Sequence, residues 1–186
     1  MDKKILIVYG TKEGQTAKIA EELGKQFRES GYKTNIINAK GIPKEFSFQG
    51  VNGVLIGSSV HMGSYSSDVS NFIRQYKPEI EKRPASFFSV SLSDAGKTPE
   101  ERAELDPYIT KFLKKSGWTP EKTGRFAGSL AYTKYGWFTR FIMKKIGSSK
   151  GQSNDTSKDW EYTDWEQVKN FGTEFLDRCE HPAEVS

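Results

Sequence analysis

The sequence predicts a doubly wound α/β domain, a five-stranded parallel sheet with helices on both faces. Three observations carry that prediction. Short apolar runs rich in β-branched residues alternate with runs of helical period. The first strand passes through a tight loop straight into a helix. The third apolar run (Val54, Leu55, Ile56) lacks the polar alternation of a one-sided sheet, as a strand buried on both faces should.

In order, Ile5–Tyr9 reads as a strand that stops at Gly10. Thr16–Ser30 reads as a helix, with Ile19, Ala20, Leu23 and Phe27 on one face and Gly31 as its stop. Lys33–Asn38 and Val51–Ser58 are the second and third strands. A helix bearing Val69, Phe72, Ile73 and Tyr76 follows, expected to stop before Pro78, which lacks an N–H for the helical ladder. Ala85–Leu92 is the fourth strand and Pro99–Lys115 a helix with a break near Pro107. Arg125–Ala131 is the fifth strand and Trp165–Arg178 the last helix. The whole of 1–186 reads as one domain. Residues 132–163 form an insertion within it, far longer than the few residues that usually join a strand to a helix. In this design ligands bind beyond the C-terminal ends of the strands, where the strand order reverses.

Composition excludes several classes. No run reaches the roughly 18 apolar residues of a membrane span, and the start Met1-Asp2-Lys3-Lys4 has no apolar signal region, so a cytoplasmic protein is expected. The single Cys179 allows no intrachain disulfide. With His61 and His181 as the only histidines, no metal cluster is expected. The net charge of +4 is local, because residues 132–151 carry Lys134, Arg140, Lys144, Lys145 and Lys150 and no acid. The rest of the chain is close to neutral. No nucleic-acid module accompanies this basic stretch.

The loop after the first strand, Thr11-Lys12-Glu13-Gly14-Gln15-Thr16, aims backbone N–H groups and a helix N-terminus at one spot, which suits a phosphate. Thr11, Gln15 and Thr16 can add side-chain donors, and Glu13 is expected to point into solvent. The loop has neither the G-x-x-x-x-G-K-[ST] nor the G-x-G-x-x-G pattern. It resembles the flavodoxin phosphate loop, which wraps the 5′-phosphate of FMN.

Two further loops complete a set. Ser58, Ser59, Val60, His61, Met62 and Gly63 follow the third strand, where a flat ring would lie over the sheet edge. Ser91, Leu92, Ser93, Asp94 and Gly96 follow the fourth and can bond a pyrimidine edge. The resemblance then widens to nearly the whole chain. Matching stretches are Glu13–Thr16, Val54–Ser59, Ser86–Val90, Lys111–Leu113, Ser116–Pro120, Ala127–Tyr132, Tyr135–Phe141 and Tyr162–Val168. On these the chain resembles the flavodoxin-like family and, within it, the menaquinone-dependent protoporphyrinogen oxidases. The Tyr135–Phe141 and Tyr162–Val168 blocks separate that subfamily, since neither is demanded by phosphate binding. The resemblance implies strand order 2-1-3-4-5, FMN as cofactor, a reduced tetrapyrrole donor and a quinone acceptor. His61 and Met62 depart from the family, which has Arg and Tyr there.

Catalysis on a bound flavin needs few side chains, so no catalytic residue is assigned beyond His61 as a candidate proton carrier. In a helical reading of 134–146, Trp137, Phe138 and Phe141 share a face with Arg140 and Lys144 beside it and Lys145 snorkelling. Such a face suits an anionic membrane surface or a quinone. Cys179 reads as a bystander, and Trp160 and Trp165 as packing residues. The competing readings are a flavodoxin-type electron carrier or quinone reductase, and a non-catalytic membrane-associated flavoprotein module.

Overall fold

The structure is a computed structural model and describes residues 3–61, 63–95, 106–130 and 160–182. Five strands form one sheet: β1 (Lys4–Gly10), β2 (Lys33–Asn38), β3 (Val51–Ser59), β4 (Ala85–Ser91) and β5 (Lys122–Ala127). Their order is β2-β1-β3-β4-β5 and every pairing is parallel, so the expected doubly wound topology is present.

Side-chain alternation along β1 explains both cores. Ile5 and Ile7 face α1 (Gln15–Glu29) and α4 (Trp165–Glu180), where they meet Ile19, Leu23, Phe27, Phe171 and Phe175. Leu6 and Val8 face the other way, toward α2 (Ser67–Ile80) and α3 (Asp106–Ser116), and join Val54, Ile56, Val69, Phe72, Ile73 and Phe112. All four β1 side chains have no exposed area. Burying each is worth about 1.5–3 kcal/mol, so this strand anchors both layers.

Several boundaries differ from the sequence reading, most by one or two residues. The second helix does not stop before Pro78 but runs through it to Ile80. The proline lies in the last turn, where its missing N–H costs one ladder bond, and the Glu81 N–H still closes the end on the Lys77 carbonyl. The fourth strand ends at Ser91, and Leu92–Ala95 is a 3-10 turn. The fifth strand begins at Lys122 and leaves the sheet after Ala127. There the Gly128 N–H still bonds the Ser91 carbonyl, but the Gly128 carbonyl accepts from the Tyr162 N–H. The chain then forms β6 (Ser129–Leu130), antiparallel to β7 (Trp160–Glu161). The third helix is described from Asp106, with Pro107 in its first turn, where the ring is tolerated.

Cys179 packs among core residues beside Gly53, and burial pushes its thiol up to about 12. Near neutral pH it therefore stays protonated and poorly nucleophilic. Among the described residues no helix is long and apolar enough to cross a membrane.

The sheet also requires one close approach. A Cβ built on Gly57, in β3, would overlap the fully buried Phe88 ring of the neighbouring strand. Gly57→Ala should therefore cost about 1–3 kcal/mol by overpacking. Urea unfolding should show a lower midpoint at unchanged slope, and an unshifted midpoint would mean that the Phe88 ring has room to move.

Candidate functional site

The strand registers bring the three loops together. Gly10 stands opposite Ser58, and Ser59 opposite Val90, so β1, β3 and β4 end side by side. The Val60 N–H bonds the Val90 carbonyl at 2.9 Å, linking the second loop to the root of the third.

In the first loop the Gly14 N–H donates to Thr11 Oγ1 at 2.9 Å, which closes the turn. Gly14 holds φ +93, and a Cβ there would meet nothing within 4 Å. Its conformation, not crowding, calls for glycine, and the space beside it is open. The helix opens with the Lys18 N–H on the Gly14 carbonyl at 3.2 Å. The N–H groups of the first turn have no acceptor within the helix, as at any helix start. Lys12 and Glu13 are exposed, so Glu13 faces solvent as expected.

Two side-chain atoms here carry most of the information. Thr16 is fully buried and its Oγ1 has no hydrogen-bond partner; Gln15 is 3% exposed and its Oε1 has none. A buried hydroxyl without a partner is costly unless a ligand supplies one. The Thr16 hydroxyl can donate to an anion in line with the first-turn amides. Gln15 Oε1 needs a donor, which a ligand hydroxyl can provide and a phosphate oxygen cannot. Thr11, Gly14 and Thr16 thus fit a phosphate monoester carried on a polyol, which is the tail of FMN.

The ring-face loop is a tight turn. The His61 N–H donates to the Ser64 carbonyl at 2.9 Å and the Ser64 N–H returns to the His61 carbonyl at 3.0 Å. Gly63 holds φ +72, and His61 and Gly63 are exposed. Ser58 is buried and its Oγ accepts from the Ser66 N–H at 3.2 Å, so it braces the loop from below. Met62 lies outside the described residues.

In the third loop Ser91 is buried, and the Asp94 carboxylate, 3% exposed, takes the Arg125 guanidinium at 2.9 Å. Asp94 is therefore tied into an ion pair across to β5. Leu92 is half-buried on the 3-10 turn, which also carries Ser93. Gly96 and the expected membrane or quinone residues Trp137, Phe138, Arg140, Phe141, Lys144 and Lys145 lie outside the described residues.

The structure adds Tyr108 to the site and gives Tyr65, Ser89 and Thr163 contacts that the sequence reading did not assign. Tyr108, on α3, is 42% exposed, and its ring edge comes within 3.1 Å of a Cβ built on Gly63. It forms a wall beside the ring-face turn. The Tyr65 hydroxyl and Ser89 Oγ lie 2.7 Å apart beneath the same turn, and burial pushes the Tyr65 phenol above its ordinary value, so it stays neutral. Thr163 donates to the Ala127 carbonyl at 2.7 Å and accepts from Gln15 Nε2 at 2.8 Å. Phosphate binding does not demand the Tyr162–Val168 block, yet one of its members contacts the Thr11–Thr16 loop. A separation of 148 residues hides that contact from any local motif.

Comparison with known proteins points to the same fold. The flavodoxin domain family model matches residues 6–157. Protoporphyrinogen IX dehydrogenase (quinone) of Escherichia coli K12 is 35% identical over 180 residues, covering 96% of this chain and 98% of that protein. The protein of the same name from Leishmania major is 32% identical over 173 residues, covering 92% of this chain and 74% of that one. Among solved structures, a short-chain flavodoxin associated with a bacterial microcompartment superposes with a TM-score of 0.56 at 10% identity, covering 95% of this chain and 98% of that one. Oxidised flavodoxin 1 of Bacillus cereus gives 0.51 at 14% identity, covering 94% and 97%. At these identities the structural likeness speaks for the fold alone.

Removing both threonine hydroxyls should empty the phosphate site. Each hydrogen bond to a charged acceptor is worth about 1.5–3 kcal/mol. Thr11→Ala with Thr16→Ala should therefore weaken FMN by about two decades or more in fluorescence titration. Unchanged affinity in the double variant would remove the site from this loop.

Proposed function

This chain belongs to the flavodoxin domain family, and on that premise we propose that it oxidises protoporphyrinogen IX, or a similarly reduced tetrapyrrole, and passes the electrons to a quinone through FMN. The observation that carries this reading is the span of the relatives. Their 35% identity runs over 96% of this chain and 98% of theirs, so the likeness reaches beyond the cofactor loops alone. The chain is an FMN-dependent oxidoreductase by the same likeness.

Bound FMN supplies a ring that accepts a hydride and gives up its electrons to a second acceptor. The remaining roles fall to the chain. Thr11, Gly14, Gln15 and Thr16 hold the tail, with the helix start stabilising the phosphate charge. The His61–Ser64 turn and the 3-10 turn Leu92–Ala95, with Ser59, Val60 and Ser93, would bracket the ring, while Lys12 lies in the first loop beside the tail. Tyr108 presents an exposed aromatic face beside the first turn. The pyrrole rings of a puckered porphyrinogen can pack against such a face, and the planar porphyrin product can stack on it. His61, exposed on that turn, is the candidate to take up the proton released as substrate is oxidised.

Turnover of the FMN-loaded protein with protoporphyrinogen IX and a menaquinone analogue, without oxygen, tests the assignment. Protoporphyrin fluorescence should rise with quinone consumption. Quinone reduction from other donors with no porphyrin formed would make the protein a quinone reductase instead.

A quinone acceptor is membrane-dissolved, which gives the basic aromatic stretch a role in peripheral contact with an anionic, cytoplasmic membrane face. Binding to vesicles should increase with anionic lipid and weaken with salt, each surface cation contributing about 1 kcal/mol. Trp137→Ser with Phe141→Ser should abolish vesicle binding in a flotation assay while leaving the FMN spectrum intact. Loss of FMN in that variant would place the aromatics at the cofactor, and absence of wild-type binding at low salt would exclude the membrane role.

A further inference from the structure

We propose that Thr163 is a positioning residue for the phosphate site: it holds the side chain of Gln15 and thereby pins the first turn of α1 to the place where the chain re-enters the fold after β5. The inference rests on the reading of Thr11–Thr16 as the FMN phosphate loop.

Gln15 is the first residue of α1 and is 3% exposed, so its amide must find partners inside the protein. The Thr163 hydroxyl proton is committed to the Ala127 carbonyl at 2.7 Å. Thr163 Oγ1 can then only accept from Gln15, which makes the group at 2.8 Å the Nε2 donor and fixes which way the amide faces. The unpartnered Oε1 is thereby assigned as the atom left over for a ligand hydroxyl.

The far end of the tie is itself held. Ala127 closes β5, the Tyr162 N–H bonds the Gly128 carbonyl at 3.2 Å, and Ser129 and Leu130 pair with Glu161 and Trp160. Glu161 reaches back to α1 through Lys18 at 3.2 Å and takes the Trp165 indole N–H at 2.7 Å. The exposed ion pair adds little by itself. The part-buried Gln15–Thr163–Ala127 chain is the stiffer part, because both of its ends, Gln15 and Ala127, are buried. Its effect falls on Gln15 and Thr16, the two residues whose buried oxygens await a partner.

Comparing FMN with riboflavin separates phosphate positioning from general stability, since riboflavin keeps the ring and polyol but lacks the phosphate. Thr163→Val keeps the shape and removes both hydrogen bonds. It should weaken FMN about tenfold or more and riboflavin by less than about threefold, as expected when only contacts to a charged group are misaligned. Thr163→Ser should restore FMN affinity to within about twofold of wild type. Gln15→Met also removes the acceptor for a polyol hydroxyl and should weaken both flavins, and adding Thr163→Val to it should cost FMN no more, because the two residues act as one unit. If Thr163→Val does not fold, Thr163→Ala takes its place in the comparison of FMN with riboflavin. Equal losses of the two flavins in the Thr163 variant would overturn the proposal in favour of a general packing role, and so would unchanged FMN affinity. A wild-type protein that binds both flavins alike would refute the phosphate loop itself, and the tie with it.

Discussion

Everything in this structure depends on the two-sided burial of β1. Ile5, Leu6, Ile7 and Val8 are wholly shielded, alternately by α1 with α4 and by α2 with α3. A strand so placed can only be central, with β2 on one edge and β3 on the other. The chain leaves it at Gly10 in the cleft where the connections part to opposite faces. That departure point, more than any one side chain, decides where a ligand can sit.

From that constraint the site follows in steps. The end of β1 delivers the Thr11–Thr16 turn, and the parallel registers bring the ends of β3 and β4 level with it. Each loop is then stiffened from beneath: Thr11 Oγ1 under Gly14, Ser58 Oγ under Ser66, and Asp94 against Arg125. Rigid scaffolding of this kind is what a flavin site needs, because the ring brings its own reactivity and the protein supplies orientation and charge.

The sequence was most legible where burial is two-sided and least legible where it is one-sided. The apolar runs of β1 and β3 have one structural interpretation, and the phosphate loop announced itself through Gly14 and the helix that begins beside it. The start of β5 escapes the sequence because Lys122, Thr123 and Gly124 form no apolar run. Only Gly124 and Phe126 face the core there, against Phe171. Pro78 was taken for a stop because local rules price a proline at mid-helix, and its position in the last turn shows only in three dimensions. The contacts of Tyr108 and Thr163 escape the sequence for a third reason. Their importance lies in what they touch, Gly63 and Gln15, far away along the chain.

The short β6–β7 ladder has an evolutionary consequence. Leu130 and Trp160 are paired neighbours, so the chain departs and returns through a gate one strand spacing wide, about 5 Å. A two-residue hairpin turn bridges such a gap. The intervening segment can therefore lengthen, shorten or be exchanged between lineages without rethreading the sheet, while the return end keeps Thr163 in register with the loop it steadies. The fold thus holds both ends of that segment by one two-residue ladder, so a change in its length need not disturb the sheet.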